Sequence, residues 1–157
     1  MRRDSRQGMG KPTLYTIGYE GADPDRFLTT LKDAGVTALA DVRAVALSRK
    51  RGFSKTALRA SLETGGIAYH HFIALGTPKA GREAARAGDP DLMRRIYCDE
   101  VLSTELAEAA FGELASLALV QPICLLCFER DPESCHRRIL SERLSERGWS
   151  VEDLRVF

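Results

Sequence analysis

The sequence has little of what usually announces a function. Its 157 residues carry 23 Lys plus Arg against 22 Asp plus Glu, so neither charge prevails and the formal net charge is +1. That balance excludes a uniformly basic nucleic-acid coat and an acidic solvating tail, although not local clusters. No apolar run approaches the roughly 18 residues that a membrane helix needs, so no membrane partner is expected. The start, Met1 to Arg6, leads into polar residues rather than an apolar stretch, and the expected location is cytoplasmic. Internal repeats and low-complexity tracts are missing, as are the dinucleotide and P-loop glycine patterns. Cysteine is sparse: Cys98, Cys124, Cys127 and Cys135 do not make a disulfide framework in a chain of this kind, and they are expected as reduced thiols.

What is present is a length suited to one domain with its own core, and a hydrophobic content of 44%. Residues 1–12 are polar and basic and read as a mobile arm of charge +3, with residues 13–157 as a single α/β domain. Thr13 to Gly18 is a β-rich run. Asp23-Pro24 then supplies an N-cap and a first-turn proline for a helix that reaches about Ala34, where Gly35 follows. Val36 to Val42 is almost continuously apolar, as a strand buried on both faces of a parallel sheet should be. Ser54 caps a helix to about Thr64, and Ile67 to Phe72 reads as a strand. Gly76 to Val120 shows helical patterns only, with caps at Asp89-Pro90 and near Ser103 or Thr104. Pro122 to Phe128 is the most apolar strand, a helix follows to about Arg147, and Trp149 to Val156 closes the chain as a strand. This alternation predicts a three-layer α/β/α, Rossmann-like fold around a mainly parallel sheet of about five strands.

Ligands of such sheets bind outside the carboxyl ends of the strands. Four loops fall there. In the last, Phe128 to Arg138, Cys135 precedes a helix whose N-terminus favours anions and a lowered thiol pKa. With His136 and Arg137 beside it, Cys135 could be a nucleophile, a contact in a phosphate or carboxylate site, or a small buried thiol. Glu129 is a general acid or base candidate because burial near the sheet end would raise its pKa. Cys124 and Cys127 have a zinc-ligand spacing, but three residues along a strand point them to opposite faces, which favours two core thiols.

Asp41 and Arg43 share one side of a strand end, as a base and its partner or as a structural ion pair. From Asp41 to Arg59 six basic residues stand against one acidic residue, a local +5 that reads as a solvated basic loop or, with Ser48 and Phe53 interleaved, as a segment suited to phosphate and base contacts. Gly18-Tyr-Glu-Gly21 only loosely resembles a phosphate turn, yet Tyr19 and Glu20 sit where they could reach a ligand. His70 and His71 face opposite ways, so at most one, taken as His71, joins the same site.

Taken together, Thr16-Ile-Gly-Tyr-Glu-Gly21, Asp41-Val-Arg43 with Ser48-Arg49 and Gly52-Phe-Ser54, Gly65 through His71 with Leu75-Gly76, Cys127-Phe-Glu129 and Cys135-His-Arg137 resemble the bacterial and archaeal family of domain of unknown function 488. The likeness runs from Leu14 onward. Where that family has a proline before the serine-arginine pair, this chain reads Val45-Ala46-Leu47-Ser48. The resemblance implies a compact α/β protein without an established reaction, and carries a loose link to DNA repair. The Asp-Val-Arg strand end and the Cys135 junction also look superficially like rhodanese-type sulfurtransferases, whose thiol loop contains glycine; Ser134-Cys-His-Arg-Arg138 does not.

The leading expectation is an enzyme acting on a phosphate-bearing substrate, a nucleotide or nucleic acid. Asp41, Glu129, Cys135 and His136 are its catalytic candidates, and Tyr19, Glu20, Arg43, Ser48, Arg49, His71 and Arg137 its binding candidates. The alternative is a non-catalytic nucleic-acid-binding module using the arm and the basic segment. No cofactor is expected, with a metal at Cys135 and His136, joined by His71 or Cys127, left as a third possibility.

Overall fold

A computed structural model describes residues 12–157. The basic arm expected over residues 1–12 lies, apart from Pro12, outside the described residues. Five strands form one parallel sheet: β1 (Thr13–Gly18), β2 (Ala38–Asp41), β3 (Ala68–His71), β4 (Ile123–Cys127) and β5 (Ser150–Leu154). Their spatial order is β3-β2-β4-β1-β5, so the fourth strand in sequence lies at the centre of the sheet. All five β4 residues are buried, which accounts for its unbroken apolar sequence.

The two sides of the strands feed two separate cores. Ile17, Leu39, Cys124 and Leu126 pack with Phe27 and Leu31 of α1 (Pro24–Asp33) and with Leu58 and Leu62 of α2 (Lys55–Thr64). Leu14, Ala40, Leu125 and Cys127 face the other way. There they meet Phe111 and Leu114 of α5 (Glu105–Val120) and Ile139, Leu140 and Leu144 of α6 (Arg137–Glu146). Cys124 and Cys127 thus lie on opposite faces, as their three-residue offset requires. Two further helices, α3 (Lys79–Arg86) and α4 (Pro90–Ile96), precede a π-helical turn at Tyr97–Val101. The architecture is the expected three-layer α/β/α fold.

Local signals explain most boundaries. Asp23 and Asp89 accept from Arg26 N and Leu92 N, each followed by proline in the first turn, and Thr104 accepts from Ala107 N. Ser54 occupies an N-cap position but makes no capping bond. Its hydroxyl instead accepts from Ser48 N at 2.9 Å and donates to Ser48 O at 3.2 Å, closing the basic loop on itself.

The sheet order positions the site. From β1 the chain crosses to β2 under α1, whereas from β4 it crosses the other face, through α6, to β5. Neighbouring β1 and β4 therefore send their loops in opposite directions, and a crevice opens above their carboxyl ends.

Candidate functional site

A cavity of about 600 Å³ occupies this crevice. Tyr19 after β1, the segment from Arg43 to Lys50 after β2, and the segment from Cys127 to His136 after β4 form its floor and two sides. Helix α3 supplies the remaining wall through Arg82, Ala85 and Arg86. Five cationic residues, Arg43, Arg49, Lys50, Arg82 and Arg86, line it against one carboxylate, Glu129. Exposed Val45, Leu47 and Phe128 give its mouth an apolar lip.

Asp41 and Arg43 are buried together and make a brace. Asp41 has no exposed surface. Its carboxylate accepts from Arg43 Nε at 2.9 Å, Arg43 Nη2 at 2.7 Å and Tyr69 Oη at 2.5 Å. The remaining Arg43 nitrogen, Nη1, donates to Phe53 O at 2.7 Å and Tyr19 Oη at 3.2 Å. Burial disfavours the guanidinium charge, but the hydrogen bonds and attraction of Asp41 more than offset it and hold the pKa of Arg43 above its ordinary value. Burial, reinforced by the hydrogen bond to Asp41, likewise pushes the Tyr69 hydroxyl upward. Asp41 therefore lies behind the cavity wall, where it orients Arg43. Arg43 in turn fixes Phe53, which stacks on Tyr19 at 4.7 Å between ring centroids.

The Gly18-Tyr-Glu-Gly21 turn is not a phosphate cradle. Its amides are directed to β4, with Tyr19 N on Cys127 O at 3.3 Å and Glu20 N on Phe128 O at 2.8 Å. The Glu20 carboxylate accepts from Arg130 N at 3.0 Å, outside the cavity lining. Gly18 is required here because a Cβ at that position would overlap the Glu129 carbonyl. The two strand ends are thereby locked edge to edge.

The reactive side chains gather at the inner end of the cavity. Cys127 and Cys135 are joined here as a disulfide, with their Cα atoms 7.5 Å apart. The bond corrects the expectation that all four cysteines are reduced thiols, with Cys127 a core thiol: eight residues of chain, turned by a 3-10 segment at Pro132–Ser134, return Cys135 to it, whereas Cys98 and Cys124 are free. His136 Nε2 lies 2.7 Å from Val42 O. Because a carbonyl only accepts, Nε2 carries the proton and Nδ1, 3.9 Å from Cys135 Sγ, presents its lone pair. Burial holds the imidazole pKa down to about 4, so the ring is neutral. Tyr97, whose hydroxyl donates to Leu75 O at 2.7 Å, packs against that ring.

Glu129 Oε1 lies 3.6 Å from Cys127 Sγ, and burial raises the carboxyl pKa. Arg137 is completely buried under this group rather than lining the cavity. It donates to Glu129 O at 2.5 Å, Arg130 O at 3.3 Å and Cys127 Sγ at 3.4 Å. Burial lowers its pKa. The helix start expected to cradle an anion around Cys135 offers its sulfur the Arg137 amide at 3.5 Å.

Of the binding candidates, Tyr19, Arg43, Ser48 and Arg49 reach the cavity, whereas Glu20, His71 and Arg137 do not. His71 Nε2 sits 2.8 Å from Arg43 O, which secures the loop after β2 and keeps the imidazole apart from Cys135. Arg82 and Arg86 had no place in the sequence reading. Their spacing of four residues on one helix face, next to Gly81 packed against Thr77, is the one signal that could have marked them.

Among known proteins, no curated protein and no solved structure matches the chain. The family model described as Domain of unknown function DUF488 matches residues 23–144, which span β2, β4, the cavity cations and the whole group from Cys127 to Arg137. The chain belongs to that family.

Proposed function

We propose that this protein is an enzyme acting on a phosphate-bearing substrate, and that a nucleotide fits the cavity best. The observation that carries the reading is the division of one cavity into a cationic wall and a reactive end. Arg49, Lys50, Arg82 and Arg86 face the space that Glu129, Cys135 and His136 close. Arginine forks suit phosphate oxygens, and a volume of about 600 Å³ is that of a small-molecule site rather than a nucleic-acid groove. The lip of Val45, Leu47 and Phe128 offers a base an apolar and aromatic surface. In this reading the cationic wall binds phosphate, Glu129 holds or moves protons, and Cys135 and His136 form the end at which the reacting group lies. Asp41 and Arg43 keep the floor rigid.

The test is a panel of nucleoside mono-, di- and triphosphates and short single strands, followed for binding by calorimetry and for conversion by chromatography. The double substitution Arg82→Ala/Arg86→Ala should weaken binding at least tenfold while changing stability by no more than about 1.5–3 kcal/mol, the scale of the one hydrogen bond from a charged group, Arg82 Nη1 to Thr77 O at 2.8 Å, that it removes. Glu129→Gln should abolish conversion while binding persists. Failure of every phosphate-bearing compound to bind, or binding indifferent to Arg82 and Arg86, would overturn the reading.

A further inference from the structure

The inner end of the cavity gathers more donor atoms than a thiol nucleophile needs. The sulfur atoms of Cys127 and Cys135 and a ring nitrogen of His136 all lie within 4.8 Å of one another, and all three residues are buried. A Cα separation of 7.5 Å is longer than the roughly 4.4–6.8 Å that disulfides span, and two thiolates can reach across it to a shared ion. From these atoms we infer that Cys127, Cys135 and His136 bind one zinc-like divalent cation, with a fourth coordination position open to the cavity.

Three features besides proximity favour it. First, the bond from His136 Nε2 to Val42 O fixes the tautomer and the ring orientation. A metal-bound histidine usually anchors its second nitrogen in this way, and here Nδ1 is left as the ligand atom. Second, Arg137 is a fully buried cation that forms no salt bridge to a carboxylate among the described residues. A buried charge needs an opposite one, and the sulfur of Cys127 is in reach of its Nη1 at 3.4 Å. Two thiolates and the Glu129 carboxylate match in charge Arg137 and one divalent ion. Third, the donor set is chemically selective: thiolate and imidazole suit zinc and disfavour magnesium or calcium.

Binding requires the S–S bond to be reduced by two equivalents of a small-molecule thiol, which leave as their own disulfide; the two cysteine thiols then lose their protons to the solvent as the ion binds, and each sulfur lies about 2.3 Å from it, with the nitrogen at about 2.0–2.1 Å. Three protein ligands with a vacant fourth position is the arrangement of catalytic rather than structural zinc. Glu129, beside Cys127 and on the cavity surface, flanks that position. That a substrate oxygen fills it rests on the phosphate-substrate reading above; the ion itself does not.

The experiment is elemental analysis of untagged full-length chain purified under reducing conditions, followed by chelation and titration with zinc and with cobalt(II). One equivalent per chain is expected, together with thiolate-to-cobalt charge-transfer absorption. Cys127→Ser and Cys135→Ser should each lose it, and His136→Ala should weaken it at least tenfold. Cys124→Ser, changed on the opposite face of β4, should keep it. The wild-type titration stands even where a variant does not fold. Absence of stoichiometric metal in the reduced protein, a thiol count showing a disulfide only, or equal loss in Cys124→Ser would overturn the site. Metal retained by a protein that binds no phosphate compound would defeat the proposed function alone, and the converse would defeat the ion alone.

Discussion

Replacing Arg43 with methionine keeps most of its volume but removes the guanidinium from a carboxylate that has no exposed surface. Asp41 would retain the Tyr69 hydroxyl at 2.5 Å and the Arg43 amide at 3.1 Å, with no cation beside it. Phe53 O and Tyr19 Oη would lose a donor as well. Breaking a buried pair in this one-sided way costs about 3–5 kcal/mol. In a chain of this size each kcal/mol lowers Tm by about 2–4 °C, so the midpoint should fall by roughly 6–20 °C. Urea unfolding at neutral pH measures the same loss, and the m-value should not change if the transition stays two-state. Asp41→Leu should be comparably harmful alone. Asp41→Leu combined with Arg43→Met should cost less than the sum of the two, by roughly 2–3 kcal/mol, because no charge is then left unpaired. A loss below about 1 kcal/mol for Arg43→Met, the level of an exposed ion pair, would refute the reasoning.

Two further outcomes follow from the same site. Tyr69→Phe removes one hydrogen bond to the buried Asp41 carboxylate and should cost about 1.5–3 kcal/mol in denaturant unfolding, with phosphate-ester affinity unchanged because Tyr69 is absent from the cavity lining. Gly18→Ala should drive the Glu129 backbone away from β1, lowering stability by about 1–3 kcal/mol and reducing turnover more than binding, as stopped assays on the same nucleotide panel would show.

The elements of this fold were legible because punctuation and periodicity agreed. Asp23-Pro24, Asp89-Pro90 and Thr104 mark helix starts that the backbone obeys, and the unbroken apolar sequence of β4 goes with its place between two neighbours. The site was legible only in part. Strand ends put Tyr19, Arg43, Glu129 and Cys135 at one edge, and all four reach the cavity. Strand period placed Asp41 and Arg43 on one side but gave no depth, so a pair that braces the floor read as equally suited to catalysis. Cys127 was weighed mainly against Cys124, its neighbour in the strand, because a loop's return path is not written in spacing. Arg82 and Arg86 stayed hidden since an Ala/Gly/Arg-rich stretch reads as a mobile piece, and only tertiary packing sets it as a helix against the cavity.

The central place of β4 has a consequence for how the molecule comes into being. Among the described residues, strand β1 pairs only with residues 123–127 and 150–154, so for most of the chain's synthesis these partners do not yet exist. β2 and β3 can meet early, but they stay separated from β1 by the width of a missing strand. A ribosome-bound chain that ends before Pro122 therefore exposes three unmatched strand edges, both of β1 and one of β2, an invitation to mispairing that late, long-range topologies carry. Closing that gap brings in Cys127, Glu129 and Cys135 with the same stroke, so sheet completion and site assembly are one folding event.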